Sequence, residues 1–268
     1  RLNANGSTSS WTTNANSLPQ VLSHHGCAIA NGYLYVVGGR PSGYIDTVYY
    51  AKLNSDGSVG AFSTTTVIPA ARARLNNAVV TANGYIYVVG GESSNGDEEE
   101  VYYARLNADG TVGSWTATTS LLAVSAHNGV IVANGYIYDI AGDKENPDGG
   151  SRQVWYARLN SDGTVGSWIN NTNLLPTGRT THIAVAANGY AYVVGGGPPG
   201  GVGNTNTPRD VYYAKLNSDG STGAWVNNSN VLPTNRSYTA GTIANGYIYV
   251  VGGTPTGAAA DAVNTVYY

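Results

Sequence analysis

The chain has no methionine, one cysteine and three lysines, and only 11% of its 268 residues are charged, against about a quarter in an ordinary globular protein. Cys27 alone cannot make an internal disulfide, so placement outside the cell has to rest on composition. No apolar run approaches the ~18 residues of a membrane-spanning helix, and the opening RLNANGSTSSWTT lacks the apolar centre of a signal peptide. The absence of methionine fits a mature or excised segment. A formal charge of −3 and a pI near 5.7, with no basic stretch, provide no general attraction for nucleic acid or anionic lipid. Neither nucleic-acid binding nor direct membrane insertion is expected. What the chain has instead is Asn, Ser, Thr and Gly, a bias that resembles bacterial secreted and surface proteins, and an extracellular or cell-surface location is expected.

It also has repeats. ANGY recurs at Ala30, Ala82, Ala133, Ala187 and Ala244, with spacings of 52, 51, 54 and 57 residues. A second segment recurs as VYYAKLNSDGSVGAF from Val48, VYYARLNADGTVGSW from Val101, VWYARLNSDGTVGSW from Val154 and VYYAKLNSDGSTGAW from Val211. The chain ends on VYY and begins on RLNANGSTSSW, two halves of a fifth copy. Five units, approximately 1–50, 51–103, 104–156, 157–213 and 214–268, therefore account for one domain spanning 1–268.

Each unit carries four short strand signals and no amphipathic helix. The apolar stretch before ANGY and the YIYVVGG-type stretch after it are joined by Asn-Gly, which favours a two-residue hairpin because both residues tolerate positive φ. The VYYAKLN stretch and the one ending at Trp115 or its counterparts are joined by Asp-Gly, or by Asn5-Gly6 in the divided copy. YIYVVGG is apolar at nearly every position, so both its faces are expected to be covered. Four-stranded sheets stacked around an axis meet that requirement. The sequence thus predicts an all-β, five-bladed β-propeller of four-stranded antiparallel blades, closed by pairing of the N- and C-terminal segments; a linear solenoid is the second choice.

The units resemble kelch repeats, in which an Arg and often a His precede the first strand, a double Gly ends the second, a Tyr lies in the third and a Trp in the fourth. Here these are Arg179, His182, Gly195-Gly196, Tyr212-Tyr213 and Trp225. The resemblance covers the whole chain and implies a propeller, though kelch propellers commonly have six or seven blades. The third unit departs from the pattern with Ala141-Gly142. Copper-dependent members of the kelch family use Tyr, His and a Cys-Tyr cross-link, and no residues here correspond to that set.

In a four-stranded meander the loops after the double glycines share one side with the crossings between blades. These loops differ in sequence and are 8, 9, 11, 14 and 12 residues long, so specific recognition is expected there. Counting back from the Asn of each ANGY aligns the entrance of each inner strand. Nine residues before it stand Leu22, Arg74, Ser125, Arg179 and Arg236; seven before, His24, Asn76, His127, Thr181 and Tyr238; six before, His25, Asn77, Asn128, His182 and Thr239. This polar collar can serve as a pocket for a sugar or peptide group, with the arginines as fixed donors. Equally, its members can satisfy carbonyls between blades.

The leading expectation is a noncatalytic recognition module for glycan or protein, with no cofactor required. The inner strands HGCAIA, NAVVTA, NGVIVA, HIAVAA and TAGTIA contain no Asp or Glu, which disfavours the paired carboxylates of a glycosidase. An alternative acidic site, for a hydrolase or lyase, would draw on Asp46, Glu100, Asp139 and Asp210, with Asp143 and Asp261 also in the loops. A display domain of a longer surface protein is a third possibility. Asp139 replaces a strand Val and requires a partner if buried; local repacking and a role in a site are both open. His24, His25 and Cys27 form too small a set for zinc, since His24 points away from the other two. The acidic run Asp97 to Glu100 admits Ca²⁺ or a solvated loop. Ring closure leaves no strand edge demanding a partner, so oligomeric state stays open.

Overall fold

A computed structural model describes residues 1–144, 150–197 and 208–268; the parts of the third and fourth variable loops at 145–149 and 198–207 lie outside the described residues. The chain is a five-bladed β-propeller of small antiparallel sheets, with one short 3₁₀ turn at Ala259–Asp261 among the described residues. The first blade contains β1 (Gly26–Ala30), β2 (Tyr33–Val37), β3 (Val48–Lys52) and β4 (Ser63–Thr65). The second contains β5 (Val79–Ala82) and β6 (Tyr85–Val89), a loop hairpin of β7 (Glu92–Ser93) and β8 (Gly96–Asp97), then β9 (Val101–Arg105) and β10 (Thr116–Ala117). The third contains β11 (Gly129–Ala133), β12 (Tyr136–Ile140), β13 (Val154–Arg158) and β14 (Ile169–Asn170). In the fourth are β15 (Ile183–Ala187), β16 (Tyr190–Val194), β17 (Val211–Lys215) and β18 (Val226–Asn227), and in the fifth β19 (Ala240–Ala244), β20 (Tyr247–Val251) and β21 (Val266–Tyr267).

Local chemistry sets these elements. In each first hairpin the Asn has φ between +51° and +53° and the following Gly has φ between +78° and +80°, the positive pair that matches strand twist in a two-residue turn. The second hairpins close through an Asx contact. Asp162 Oδ1, for example, accepts from the Thr164 amide at 3.0 Å and its hydroxyl at 2.7 Å, and these bonds hold its carboxyl below the usual range. The N-terminal copy forms the same turn with Asn5 as acceptor for Ser7.

Blades are joined at two levels. On the loop side, the second glycine of one blade donates its amide to the next: Gly39 to the Arg72 carbonyl (2.7 Å), Gly91 to Ser125 (2.8 Å), Gly142 to Arg179 (2.8 Å) and Gly196 to Arg236 (2.7 Å). On the other side, the tyrosines of one blade pack under the second hairpin of the next. Tyr33 lies under Gly110, Tyr85 under Gly163 and Tyr136 under Gly220, each so close that a Cβ on the glycine would sit under 3 Å from the ring. Between these levels Val88, Ile86, Ile137, Val193 and their neighbours fill the core, each burial contributing ~1.5–3 kcal/mol before entropy is counted.

The sequence joins the termini through a shared fourth strand; the structure joins them by packing. The N-terminal hairpin places Gly6 against Tyr247 of the fifth blade. Asn14 and Asn16 both donate to the Val59 carbonyl of the first blade, each at 2.9 Å. The segment thus stands between the two blades, one station further round than a fourth strand of the fifth blade would stand. The fifth sheet accordingly has three paired strands, ending at β21, and Trp11 is 74% exposed while Trp168 and Trp225 are buried.

Candidate functional site

One residue per blade, in the segment leading into the inner strand, adopts a left-handed conformation: His24, Arg74, His127, Thr181 and Tyr238, with φ between +50° and +56°. Such a φ is costly for bulky residues and draws attention to what fixes it. Backbone bonds do so from blade to blade. The Leu75 amide donates to the His24 carbonyl (3.1 Å), His127 to Arg74 (3.3 Å), Thr181 to His127 (3.0 Å) and Tyr238 to Thr181 (3.2 Å). These residues ring the propeller axis on the side of the variable loops. Their side chains meet across it, with ring centroids 6.0 Å apart for His24 and His127, 5.6 Å for His127 and Tyr238, and 6.4 Å for His24 and Tyr238.

The second blade is offset by two residues from the alignment made by counting back. Arg72, buried to 1% exposure, is the counterpart of Arg179 and Arg236. Each of the three lies over the third-strand tyrosine of its own blade, Tyr102, Tyr212 or Tyr267, at 5.0–5.4 Å from the ring centroid. Each also donates to a group just before that strand: Arg72 to Glu100 (2.9 Å), Arg179 to Asp210 (2.9 Å) and Arg236 to Thr265 (2.8 Å). Arg179 and Arg236 are thus turned into their blades rather than into the mouth. Arg74, set two residues later and 31% exposed at its side chain, takes the axial place.

Around Arg74 the variable loops deliver three carboxylates. Its Nε donates to Glu92 at 2.9 Å, and its Nη1 lies 3.8 Å from Asp97 and 3.6 Å from Asp143. Glu92 also accepts from the Tyr44 hydroxyl at 2.7 Å, and Arg40 lies over the Tyr44 ring. Asp143 Oδ2 is 2.8 Å from His127 Nδ1. His127 Nε2 is buried and has no hydrogen-bond partner among the described residues. Burial, reinforced by Asp143 and Glu92, pushes the Asp97 carboxyl up to about 6, with Arg74 opposing. Burial and then His127 lower the pKa of His24, while burial and Asp143 raise that of Tyr238. The cluster therefore combines an oriented imidazole, a carboxyl raised to about 6 and a partly free guanidinium at one end of the axis.

The rest of the collar lies elsewhere. His25, Asn128, His182 and Thr239 pack beneath the second glycine of their own blades, and Leu75 takes that place in the second blade. His182 is fully buried, and desolvation followed by Arg179 lowers its pKa to about 3, so it is a neutral core side chain. Asn77 donates to the His182 carbonyl at 2.8 Å, while the Asn76 amide oxygen is buried without a partner among the described residues. Cys27 is exposed, because among the described residues no inner strand packs closely on the side of β1 turned to the seam.

The four alternative carboxylates are not brought together. Glu100 and Asp210 bond to arginines of their own blades, Asp46 is exposed in the first loop, and Asp139 is enclosed in the third blade with Lys144, Asn128 and Ser125. The run Asp97 to Glu100 is divided too, with Asp97 facing Arg74 while Glu98 and Glu100 face Arg72. Among the described residues no group of three or more His, Cys, Asp or Glu is arranged to hold a metal ion.

Sequence reasoning missed Glu92 and Tyr44 as members of the axial cluster. It had a usable signal for the offset: counting three residues forward from Pro69, Pro176 and Pro233 reaches Arg72, Arg179 and Arg236 directly. No protein-family model and no curated protein matches the chain.

Proposed function

We propose that the chain is a recognition module that binds carbohydrate at the axial mouth of its variable-loop face. The observation that carries this reading is the convergence of Arg74, His24, His127 and Tyr238 from four blades on Glu92, Asp97 and Asp143 from two loops. A polyhydroxylated ligand needs donors and acceptors interleaved at close range with ring faces beside them, and this cluster supplies both. The kelch-like pattern of Arg179, Gly195-Gly196, Tyr212-Tyr213 and Trp225 supports a scaffold whose loops vary while its blades repeat. The low charge and the Asn, Ser, Thr and Gly bias support a setting outside the cell.

The test is titration of a broad panel of oligosaccharides into the intact chain and into Arg74→Ala and His127→Ala variants. Saturable binding that both substitutions weaken at least about 10-fold supports the mouth as the site. Binding that neither substitution alters places the ligand elsewhere.

Hydrolysis of a glycan is a second reading, favoured by one observation: Asp97, held near 6, has the acidity of a general acid at neutral pH, and His127 oriented by Asp143 has a free Nε2 to act as base. Release of reducing ends from any member of the panel, lost in Asp97→Asn, decides for it.

A further inference from the structure

We infer that the ligand of the axial mouth is an amino sugar that places a primary ammonium group beside Asp97 and Asp143, an inference that rests on the carbohydrate reading above.

The argument starts from the hydrogen-bond inventory. Arg74 directs its Nε to Glu92 at 2.9 Å, but its Nη1 stands 3.8 Å from Asp97 and 3.6 Å from Asp143, too far to hydrogen-bond either. Asp97 has no side-chain hydrogen bond among the described residues, and Asp143 has His127 alone. The mouth thus holds two carboxylates, Asp97 and Asp143, with unused acceptor capacity beside an arginine that only partly meets it. Arg74 is the guanidinium within ion-pair reach of the three carboxylates, while Arg40 lies over the Tyr44 ring. A neutral sugar hydroxyl brings one donor and no charge, whereas an ammonium brings three donors and the missing positive charge.

A second observation is independent of the carboxylates. The His127 side chain is 5% exposed, its Nδ1 is fixed by Asp143, and its Nε2 has no partner among the described residues although its ring faces His24 and Tyr238 across the axis. A buried ring nitrogen left without a partner in a ring that neighbours His24 and Tyr238 marks the position of a missing polar group. Tyr238 and the two imidazoles pack tilted or edge-on to one another at the axis, an aromatic cluster that suits a cation and the apolar face of a pyranose together. A lysine side chain carries the same ammonium but no ring of hydroxyls for Arg74, Tyr238 and His127 Nε2, so the geometry favours the sugar.

Asp97 supplies a signature. Its carboxyl is raised to about 6 chiefly by burial, with Asp143 and Glu92 adding to the rise and Arg74 and His127 opposing it. A bound ammonium stabilises the ionised form, so binding near pH 6 releases a proton.

The experiment is calorimetric titration with the β-1,4-linked tetrasaccharide of glucosamine, its fully N-acetylated counterpart, the neutral glucose tetrasaccharide and a lysine-containing tetrapeptide. The expected result is about 10-fold tighter binding of the glucosamine oligomer than of either uncharged sugar. The preference should disappear in Asp97→Asn, and binding enthalpy at pH 6 should vary with the ionisation enthalpy of the buffer. Equal or tighter binding of the uncharged sugars overturns the ammonium inference and leaves carbohydrate recognition standing. Tighter binding of the peptide than of any sugar, or no binding by any probe, overturns both.

Discussion

Lys144 donates to Asp139 inside the third blade, and its ammonium lies 3.6 Å from the centroid of the Trp155 ring. This pair occupies the place that Arg72, Arg179 and Arg236 fill in other blades. Ser125 stands at the arginine position and Trp155 at the tyrosine position, and the cation arrives instead from the loop. Asp139 is the counter-charge that the exchange requires. Burial lowers the Lys144 pKa while Asp139 opposes it, so the two side chains depend on each other. Anchoring Lys144 also fixes the preceding residue, Asp143, against His127.

Replacing Asp139 by Val restores the residue of the other repeats but strands the lysine. Asp139→Val should therefore cost about 3–5 kcal/mol of unfolding free energy, and Asp139→Val with Lys144→Met should recover most of it. Urea denaturation of the two variants checks this. If the single variant is as stable as the parent, Asp139 is not the partner that keeps Lys144 charged in the core.

The two-residue offset of the second blade separates two arginines that counting back had aligned. Arg179→Ala removes a buried guanidinium that serves Asp210 and Tyr212 and should cost about 2–3 kcal/mol without changing glycan binding. Arg74→Ala removes a partly exposed guanidinium and should cost under about 1 kcal/mol while abolishing binding. Thermal unfolding paired with glycan titration checks both. The reverse pattern would return Arg179 to the mouth.

The blades were legible because their determinants are local. Asn-Gly and Asp-Gly fix hairpins within a few residues, and the uniformly apolar YIYVV stretches mark strands covered on both faces. The mouth was less legible because it is assembled by register. Two extra residues between Arg72 and Asn83 move Leu75 beneath Gly91 and carry Arg74 to the axis, a change invisible when the repeats are anchored at ANGY alone. Glu92 and Tyr44 sit in loops whose sequences share nothing, so no alignment places them together. The seam was harder still. The N-terminal hairpin has the same local sequence wherever it docks, and the packing of Gly6 on Tyr247 with the bonds from Asn14 and Asn16 to Val59 distinguishes one station from the next.

Asp97 should impose an inverted pH dependence on stability. At low pH its carboxyl is protonated in both states and contributes nothing. As pH rises through the unfolded value of about 4, the unfolded chain ionises first, so stability falls until the folded group ionises near 6. The turn residues Asp56, Asp109, Asp162 and Asp219, held low by their Ser or Thr partners, act in the opposite direction. The prediction therefore concerns a difference: Asp97→Asn should gain stability over the parent between about pH 4 and pH 6 and hold a constant margin above. Urea midpoints of both proteins across that range check it, and a margin that shrinks with rising pH would refute the raised carboxyl.

The second hairpins supply a comparison of identical turns in different surroundings. Gly163 and Gly57 have φ of +88° and +87°, so an alanine suffers the same backbone strain at either, about 1 kcal/mol. At Gly57 the added Cβ meets nothing within 4 Å, whereas at Gly163 it would lie 2.7 Å from the Tyr85 ring. Tyr85 cannot retreat without disturbing its contact with Tyr103, 5.7 Å between centroids, so Gly163→Ala must open the joint between the second and third blades. It should cost about 1–3 kcal/mol more than Gly57→Ala, read from paired urea denaturation curves. Equal costs would mean that the tyrosine joint yields freely, and that the rigidity of the ring comes from the glycine amide bonds on the loop side alone.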